Sequence, residues 1–477
     1  MDFPELKLLV AGEWRADAGR QTRPVIDPAT EQTLSELPVA TDDDVDDALD
    51  GAAASFAAWR ATPAVQRAGI LNRAAALLRE RAEEIGRIQT MEQGKTLAES
   101  VSEVIGAADL LQWSAEEGRR AYGRIIPPRL AGGRSIVLRE PLGPVAALTP
   151  WNFPIIIPAR KIAAALAAGC PVIFKPSEET PATGLALAAA LVDAGLPAGV
   201  LSVVCGSARK ISQRLIASPV IRKVTFTGST PVGRDIAAQA AKRTIPATME
   251  LGGHAPVLIF ADADIPRAVK MLVAGKFRNA GQICIAPTRF IVHSTIVSEF
   301  TDQFTAATRA LRVGNGLDPD VDMGPVANAR RLPAVEELVQ DALDGGAEVL
   351  AGGKAIDGPG YFWEPTVVTN LDPENSRIMN EEPFGPVAPI VSFETLEEAL
   401  TLANRVPFGL ASYVFTSSLA TARVVGESIE AGMVGINDIQ IMGPESPFGG
   451  VKDSGYGSES GVEGLEAFVY SKYIRES

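Results

Sequence analysis

The chain has 477 residues, 46% of them hydrophobic and 21% charged, with a formal net charge of −14. At ~150 residues per domain that is about three domains' worth of globular chain, and the composition excludes disorder and low complexity. The acidic balance repels phosphate backbones and anionic lipid, so no nucleic-acid or membrane partner is expected, although one local basic pocket for a small anion is compatible with it.

The elements are read in chain order from periodicity and punctuation. TDDDVDDALDGAAASFAAWR (41–60) is a helix with Thr41 as N-cap and aspartates in its first turn, where the helix dipole favours negative charge. Helical periodicity continues over 64–90 and 96–118. RRAYGRIIPPRLAGGRSIVLRE (119–140) alternates around a Pro/Gly-rich turn and reads as a β-hairpin. From about 143 short apolar strands alternate with helices: strands 145–149, 171–175, 200–204, 222–226 and 247–260, and helices 158–168, 181–194, 208–216 and 229–241. Helices 264–279, 295–310, 328–344, 395–404 and 418–428, with strands 288–293, 364–369, 411–416 and 431–437, form a second such series. The tail AFVYSKYI (467–474) reads as a strand. The fold class is therefore α/β, with parallel sheets covered on both faces and ligands beyond the carboxyl ends of the strands. The hairpin and the tail, outside those sheets, are candidates for pairing with another subunit.

No apolar run approaches the ~20 residues of a bilayer span, and the N-terminus MDFPELKLLV has no basic signal-peptide start. Three cysteines, Cys170, Cys205 and Cys284, argue against a disulfide scaffold and for a reducing compartment, so a cytoplasmic location is expected. With only His254 and His293 available, no metal site is expected, and a catalytic base is sought among carboxylates and lysines.

Several strand ends carry candidate chemistry, each with an ordinary structural alternative. PWNFP (150–154) presents Trp151 and Asn152 on a loop stiffened by two prolines, as an oxyanion donor or as a capping amide. KPSEET (175–180) places Lys175 and Glu178 where a ribose would sit, or is a solvated turn. TGSTPVG (227–233) offers Gly228, Ser229 and a helix N-terminus suited to a pyrophosphate, or an ordinary cap. MELGGH (249–254) sets Glu250 among apolar residues, where a carboxylate pKa rises as a general base requires, with His254 read as a structural neighbour. GQIC (281–284) puts Cys284 near Arg278 and Arg289, cations that would favour the thiolate; the alternative is an inert cysteine, the reading that fits Cys170 and Cys205. EEPFGP (381–386), with Glu382 and Phe384, and PFGGVKDSG (447–455) are rigid loops that either bind or merely turn.

Taken together and in this order, PWNFP, KPSE, FTGS, ELGG, GQIC, EEPFGP and PFGGVK resemble the signature series of the aldehyde dehydrogenase superfamily, over about residues 8–474. The resemblance implies a Rossmann-like cofactor domain (1–118 and 141–250), an α/β catalytic domain (251–445) and an oligomerisation element (119–140 and 460–477), with the tail strand extending a neighbouring subunit's sheet in a homodimer or homotetramer. It implies Cys284 as nucleophile, Asn152 with the Cys284 N–H as oxyanion hole, and Glu250 as general base. Trp151, Lys175, Glu178, Gly228, Ser229, Glu382 and Phe384 would then bind NAD or NADP, with Glu178 pointing toward NAD by repelling a 2′-phosphate.

Within the superfamily the chain is most similar to the succinate-semialdehyde dehydrogenase group. PARK (158–161) and FRNAGQIC then supply Arg160 and Arg278 for a substrate carboxylate, unless both arginines are structural. The group's second, redox-active cysteine is replaced by Ala286, and its carboxylate-binding serine falls at Met442, which favours a bulkier or less polar aldehyde, aromatic or longer. The expected function is oxidation of a small-molecule aldehyde, a semialdehyde such as succinate semialdehyde, with an aromatic or aliphatic aldehyde as the alternative. A coenzyme-A-acylating enzyme and a catalytically silent family member are the further alternatives; Glu250 argues against the first, and an intact Cys284, Glu250 and Asn152 against the second.

Overall fold

The computed structural model describes residues 3–129 and 132–476. Its first sheet has eight strands, ordered Glu13–Arg15, Leu8–Val10, Leu201–Val203, Val172–Lys175, Val145–Leu148, Lys223–Thr227, Ala247–Glu250 and Gly455–Tyr456. The five from Leu201–Val203 to Ala247–Glu250 run parallel, and the pairings outside them are antiparallel. Val145–Leu148 and Val172–Lys175 are buried at every position, as their unbroken apolar runs require when helices cover both faces. Chain order reverses between Val145–Leu148 and Lys223–Thr227. A crevice opens at such a reversal, beyond the carboxyl ends of the two strands. The PWNFP and TGS loops leave from those ends.

The second sheet has seven strands, ordered Glu348–Ala351, Thr366–Thr369, Val387–Phe393, Pro287–His293, Ala255–Ile259, Ala411–Phe415 and Met433–Ile436. Its pairings are parallel except that of Glu348–Ala351 with Thr366–Thr369. Only Leu251–His254 separates the last parallel strand of the first sheet from Ala255–Ile259 of the second.

The expected hairpin is present as Arg124–Ile126 paired with Arg134–Pro141, and its turn at 130–131 lies outside the described residues. The tail strand Val469–Glu476 pairs over its whole length with Arg134–Pro141 of its own chain and forms the edge of that three-stranded sheet, so the other side of its backbone stays open for pairing. The 64–90 helix is two, Ala64–Glu80 and Ala82–Gln93, broken at Arg81. Val387–Phe393, which no expected element covers, contains Pro389, whose missing N–H argues against a central strand. The N-terminal strands Leu8–Val10 to Thr33–Pro38 are also absent from the expected elements, being short and largely polar beyond the first.

The helix Asp42–Ala61 starts as its sequence directs. The Thr41 hydroxyl accepts from the Asp44 N–H, and the Asp44 carboxylate accepts from the Thr41 N–H at 2.8 Å. Asp44 also pairs with Arg15 at 3.0 Å and with Arg20. Burial alone would raise this carboxyl, but Arg20, the Thr41 N–H and Arg15 hold it down at about 2. A carboxyl whose pKa is depressed on folding stabilises the fold above its unfolded value of 3.8, and that contribution is lost as pH falls toward about 2. Asp44→Asn is expected to cost about 1–2 kcal/mol at neutral pH, seen as a lower urea midpoint. The gap from the parent should narrow as the pH drops below 4, and a gap constant down to that range would contradict the assignment.

Candidate active site

The helix Ile265–Phe277 ends in a tight turn in which Asn279 (φ 49°) and Ala280 (φ 51°) adopt left-handed conformations. Residues with a side chain rarely enter that region without support from their surroundings. The turn brings Gly281 so close to the EEPFGP loop that a Cβ there would lie 2.2 Å from the Gly385 carbonyl oxygen. Three residues on, Cys284 is half-buried where two cavities meet.

One cavity, of about 260 Å³, is lined mainly by Phe153, Ile156, Ile283, Ile285, Met442 and Phe448, together with Arg160 and Arg278. The other, of about 360 Å³, is lined by Trp151, Asn152, Gly228, Ser229, Arg331, Glu382 and Phe384 among others. The thiol is therefore reachable from an apolar pocket on one side and a polar groove on the other. Burial, with the charges of Glu382 and Glu250, pushes the Cys284 thiol up to about 12, and Arg160 counters only part of this. The expectation that Arg278 and Arg289 favour the thiolate is thus corrected. Arg289 is fully buried and spends its donors on the carbonyls of His254, Leu402 and Ala403 at 2.7–2.9 Å, while Arg278 lies against the Phe153 ring, 5.8 Å from its centroid.

Asn152 is buried, and its Nδ2 donates to the Gln282 carbonyl at 3.1 Å, so the amide stands beside the nucleophile turn with one N–H to spare. Glu250 ends the strand Ala247–Glu250, and neither of its carboxyl oxygens has a hydrogen-bond partner. Burial first, and then the charge of Glu459, raises its pKa well above the ordinary carboxylate value. The loop after it passes directly against Cys284, for a Cβ on Gly253 would lie 2.3 Å from the Cys284 carbonyl oxygen. His254 is buried between the Thr288 hydroxyl (2.9 Å) and the Ile378 carbonyl (3.2 Å), and burial keeps it neutral, as a structural residue.

The polar groove continues away from Cys284. Asn328 and Arg330 line it and also a further cavity of about 520 Å³ that contains Glu178, Arg23 and Ser207. Lys175 is buried and pairs with Glu178 at 2.9 Å. Ser229 is the N-cap of Thr230–Lys242, but its side chain makes no capping bond, which leaves the hydroxyl to the groove. Trp151 meets Phe384 edge-on at 5.5 Å, across the groove. Glu382 accepts from the Gly253 N–H at 3.2 Å, and burial raises its pKa to about 8. A Cβ on Gly252 would come within 2.7 Å of the Glu382 carboxylate, so the bare backbone there keeps the groove open. A long groove with an anion-receptive helix N-terminus midway and a carboxylate at its far end fits a nicotinamide dinucleotide.

Arg160 and Arg278 both face the apolar cavity, and Arg160 lies 4.2 Å above the Phe448 ring. Among the described residues neither guanidinium has an ion-pair partner or a side-chain hydrogen bond, and the buried Arg160 Nε is unpartnered. In so acidic a chain, two cations left unpaired beside one cavity form a receptive site for an anion.

Sequence reasoning missed one set of residues. Lys161 is fully buried, donates to Thr225 at 3.1 Å and pairs with Glu459, whose other carboxyl oxygen is unpartnered. The signal was present, since a lysine in the otherwise apolar run IIPARKIAAALAA has no solvent face to occupy.

Residues 14–474 match the model of the "Aldehyde dehydrogenase family". A putative 4-(hydroxymethyl)benzenesulfonate dehydrogenase of Comamonas testosteroni is 50% identical over 98% of this chain and 97% of its own. The NADP(+) succinate-semialdehyde dehydrogenase of Escherichia coli is 41% identical over 98% and 96%. The crystal structure of betaine aldehyde dehydrogenase from Staphylococcus aureus in complex with NAD+ matches with a TM-score of 0.95 and 33% identity, over 98% of this chain and 94% of its own. With the fold, the nucleophile turn and the groove in agreement, this chain belongs to the aldehyde dehydrogenase family and is an oxidoreductase acting on aldehydes.

Proposed function

We propose that this chain oxidises an aldehyde carrying an anion at its far end, a sulfonate or a carboxylate on an apolar, ring-sized body, to the corresponding acid. The observation that carries this reading is the pair of unpartnered arginines, Arg160 and Arg278, in the same cavity as Cys284 and Met442. The names of two relatives point the same way, one a sulfonate on a benzene ring and the other a semialdehyde with a carboxylate. Met442 and the surrounding Phe and Ile side chains favour the ring, whereas succinate semialdehyde would use the arginines and leave much of the apolar wall unfilled.

The chain's residues divide the chemistry as follows. The Cys284 sulfur adds to the carbonyl carbon and its proton passes to Glu250, the carboxylate whose charge already acts on the thiol. Addition converts a trigonal carbonyl into an alkoxide, which the Asn152 amide and the Cys284 N–H stabilise. A bound nicotinamide dinucleotide supplies the acceptor for the hydride. Once Glu250 has released that proton to solvent, it is free to deprotonate the water that cleaves the Cys284 thioester. Lys175, Glu178, Ser229, Glu382, Phe384 and Trp151 would hold the cofactor, and Glu178 favours NAD because a 2′-phosphate would meet its carboxylate. The strand-rich first sheet is the cofactor half on this reading and the second the catalytic half. Ile125, Tyr470 and Tyr473 on the three-stranded sheet, all exposed, suit contact with a second copy.

Absorbance of the reduced cofactor tests this with NAD and NADP against para-sulfonated and para-carboxylated benzaldehydes, succinate semialdehyde and unsubstituted benzaldehyde, with and without coenzyme A. The anionic benzaldehydes should give the highest kcat/KM, and a preference for the neutral aldehyde would reject the proposal. Cys284→Ala should abolish turnover. Glu250→Gln should slow the first-turnover burst of reduced cofactor, which needs the Cys284 proton removed, and should slow the later thioester hydrolysis as well. Because the Glu250 pKa is raised and the base must be ionised, thioester hydrolysis in the parent should climb with pH through a value above the usual carboxylate range, and the Gln variant should lack that limb. Arg160→Ala should raise KM for an anionic aldehyde roughly 10- to 100-fold and leave that for benzaldehyde nearly unchanged. Equal effects on both would remove the arginine clamp.

A further inference from the structure

A second buried ion pair lies outside the reacting groups. Lys95 and Glu103 are both almost fully buried, 2.6 Å apart. The Lys95 ammonium also donates to the main-chain carbonyl of Asn152 at 2.7 Å and rests 3.9 Å above the Phe153 ring. Glu103 extends the arrangement. One of its oxygens accepts from the N–H groups of Ile155 and Ile156, each at 3.2 Å, at the start of the helix Ile156–Ala168, which has no side-chain cap of its own. The other accepts from Gln89 as well as from Lys95.

The same Asn152 carbonyl takes a second hydrogen bond, from Asn279 Nδ2 at 3.1 Å. Asn279 belongs to the left-handed turn that leads to Cys284. Its N–H is held by Glu99 at 3.0 Å and its side-chain oxygen by Gln93 at 2.8 Å. Two donors from separate parts of the chain thus converge on one carbonyl oxygen, and the residue bearing that carbonyl presents the amide beside the nucleophile.

A buried ion pair is a poor source of stability, because desolvating both charges cancels most of their attraction, and an apolar pair of equal volume is often as good. Its value is directional, since each charge is fixed by hydrogen bonds of set length and angle. Fixing a carbonyl fixes the peptide plane and with it the direction in which the Asn152 side chain leaves the main chain. An oxyanion donor works only if it is already aimed where the charge will develop, and a displacement of about 1 Å costs on the order of 100-fold in rate.

We infer that Lys95 and Asn279 are positioning residues that aim the Asn152 amide and register it against the Cys284 turn through the shared Asn152 carbonyl. The inference rests on Asn152 being the oxyanion donor. Lys95 touches no reacting atom and acts only through Asn152, with Glu103 as its counter-charge.

The test is a double-mutant cycle in the full-length enzyme, with Lys95→Met, Lys95→Arg and Asn279→Ala each made alone and in an Asn152→Ala background. Lys95→Met should lower kcat for hydride transfer roughly 10- to 100-fold while KM for aldehyde and cofactor changes little. Lys95→Arg should recover part of the loss. In the Asn152→Ala background neither Lys95→Met nor Asn279→Ala should lower kcat further, since the amide they aim is gone. A purely structural role would instead lower kcat by the same factor in both backgrounds, or act through KM, and either result overturns the inference. If Lys95→Met fails to fold, Asn279→Ala, which orphans no buried charge, carries the same comparison. If Asn152→Ala itself leaves kcat unchanged, the oxyanion assignment falls and the inference with it, a result read without any Lys95 variant.

Discussion

The site depends on how closely two backbones pass at the junction of the two sheets. Leu251–His254 is all that joins the strand ending in Glu250 to the strand beginning at Ala255. Within those four residues Gly253 lies so close to the Cys284 carbonyl that a Cβ would not fit, and a Cβ on Gly252 would displace the Glu382 carboxylate. Glu250, Cys284 and Glu382 thus come from three stretches of chain that meet where two side chains are missing. A methyl group at Gly253 would push the Cys284 turn away from the strand that ends in Glu250.

The electrostatics follow from that compactness. Glu250 and Glu382 are buried close to Cys284, and their charges together with desolvation keep the thiol protonated in the resting site. A neutral thiol is a weak nucleophile and a poor target for oxidants. Its reactivity therefore depends on removal of that proton, and both oxygens of the buried Glu250 are left without partners. Arg160, which lines the cavity, offsets only part of the upward shift.

Much of this is legible in the sequence, for identifiable reasons. Val145–Leu148 and Val172–Phe174 are apolar throughout because both faces of the sheet are covered, and polar residues such as Asn152, Lys175 and Glu178 follow where the chain leaves the carboxyl edge. Asn152 and Glu250 stand in short motifs at such edges, Cys284 in the turn that leads into Pro287–His293, and the structure brings all three segments together. Other features cannot be read locally. Whether Arg278 and Arg289 act on the thiol depends on where their guanidinium groups end, and Arg289 turns away to the carbonyl of His254 and those of Leu402 and Ala403 in the helix Leu396–Asn404. Val387–Phe393 is a strand despite Pro389, because pairing with Thr366–Thr369 and Pro287–His293 outweighs one lost donor. The Lys95–Glu103 and Lys161–Glu459 pairs join residues distant in sequence or in different elements, and only Lys161, within its largely apolar helix, stands out without its partner.

The helix Leu97–Gly118 supplies Glu99 and Glu103, which hold the nucleophile turn and the start of the helix carrying Arg160, and it also lends Ser102 and Gly106 to the wall of the apolar cavity. Met442, which lines the same cavity, is 41% exposed on a segment with neither helix nor strand. The hydrogen bonds that fix Asn279 and the start of Ile156–Ala168 come from the helix, and the Met442 segment makes none of them. Substitutions around Met442 can therefore reshape the cavity while that scaffold stands still.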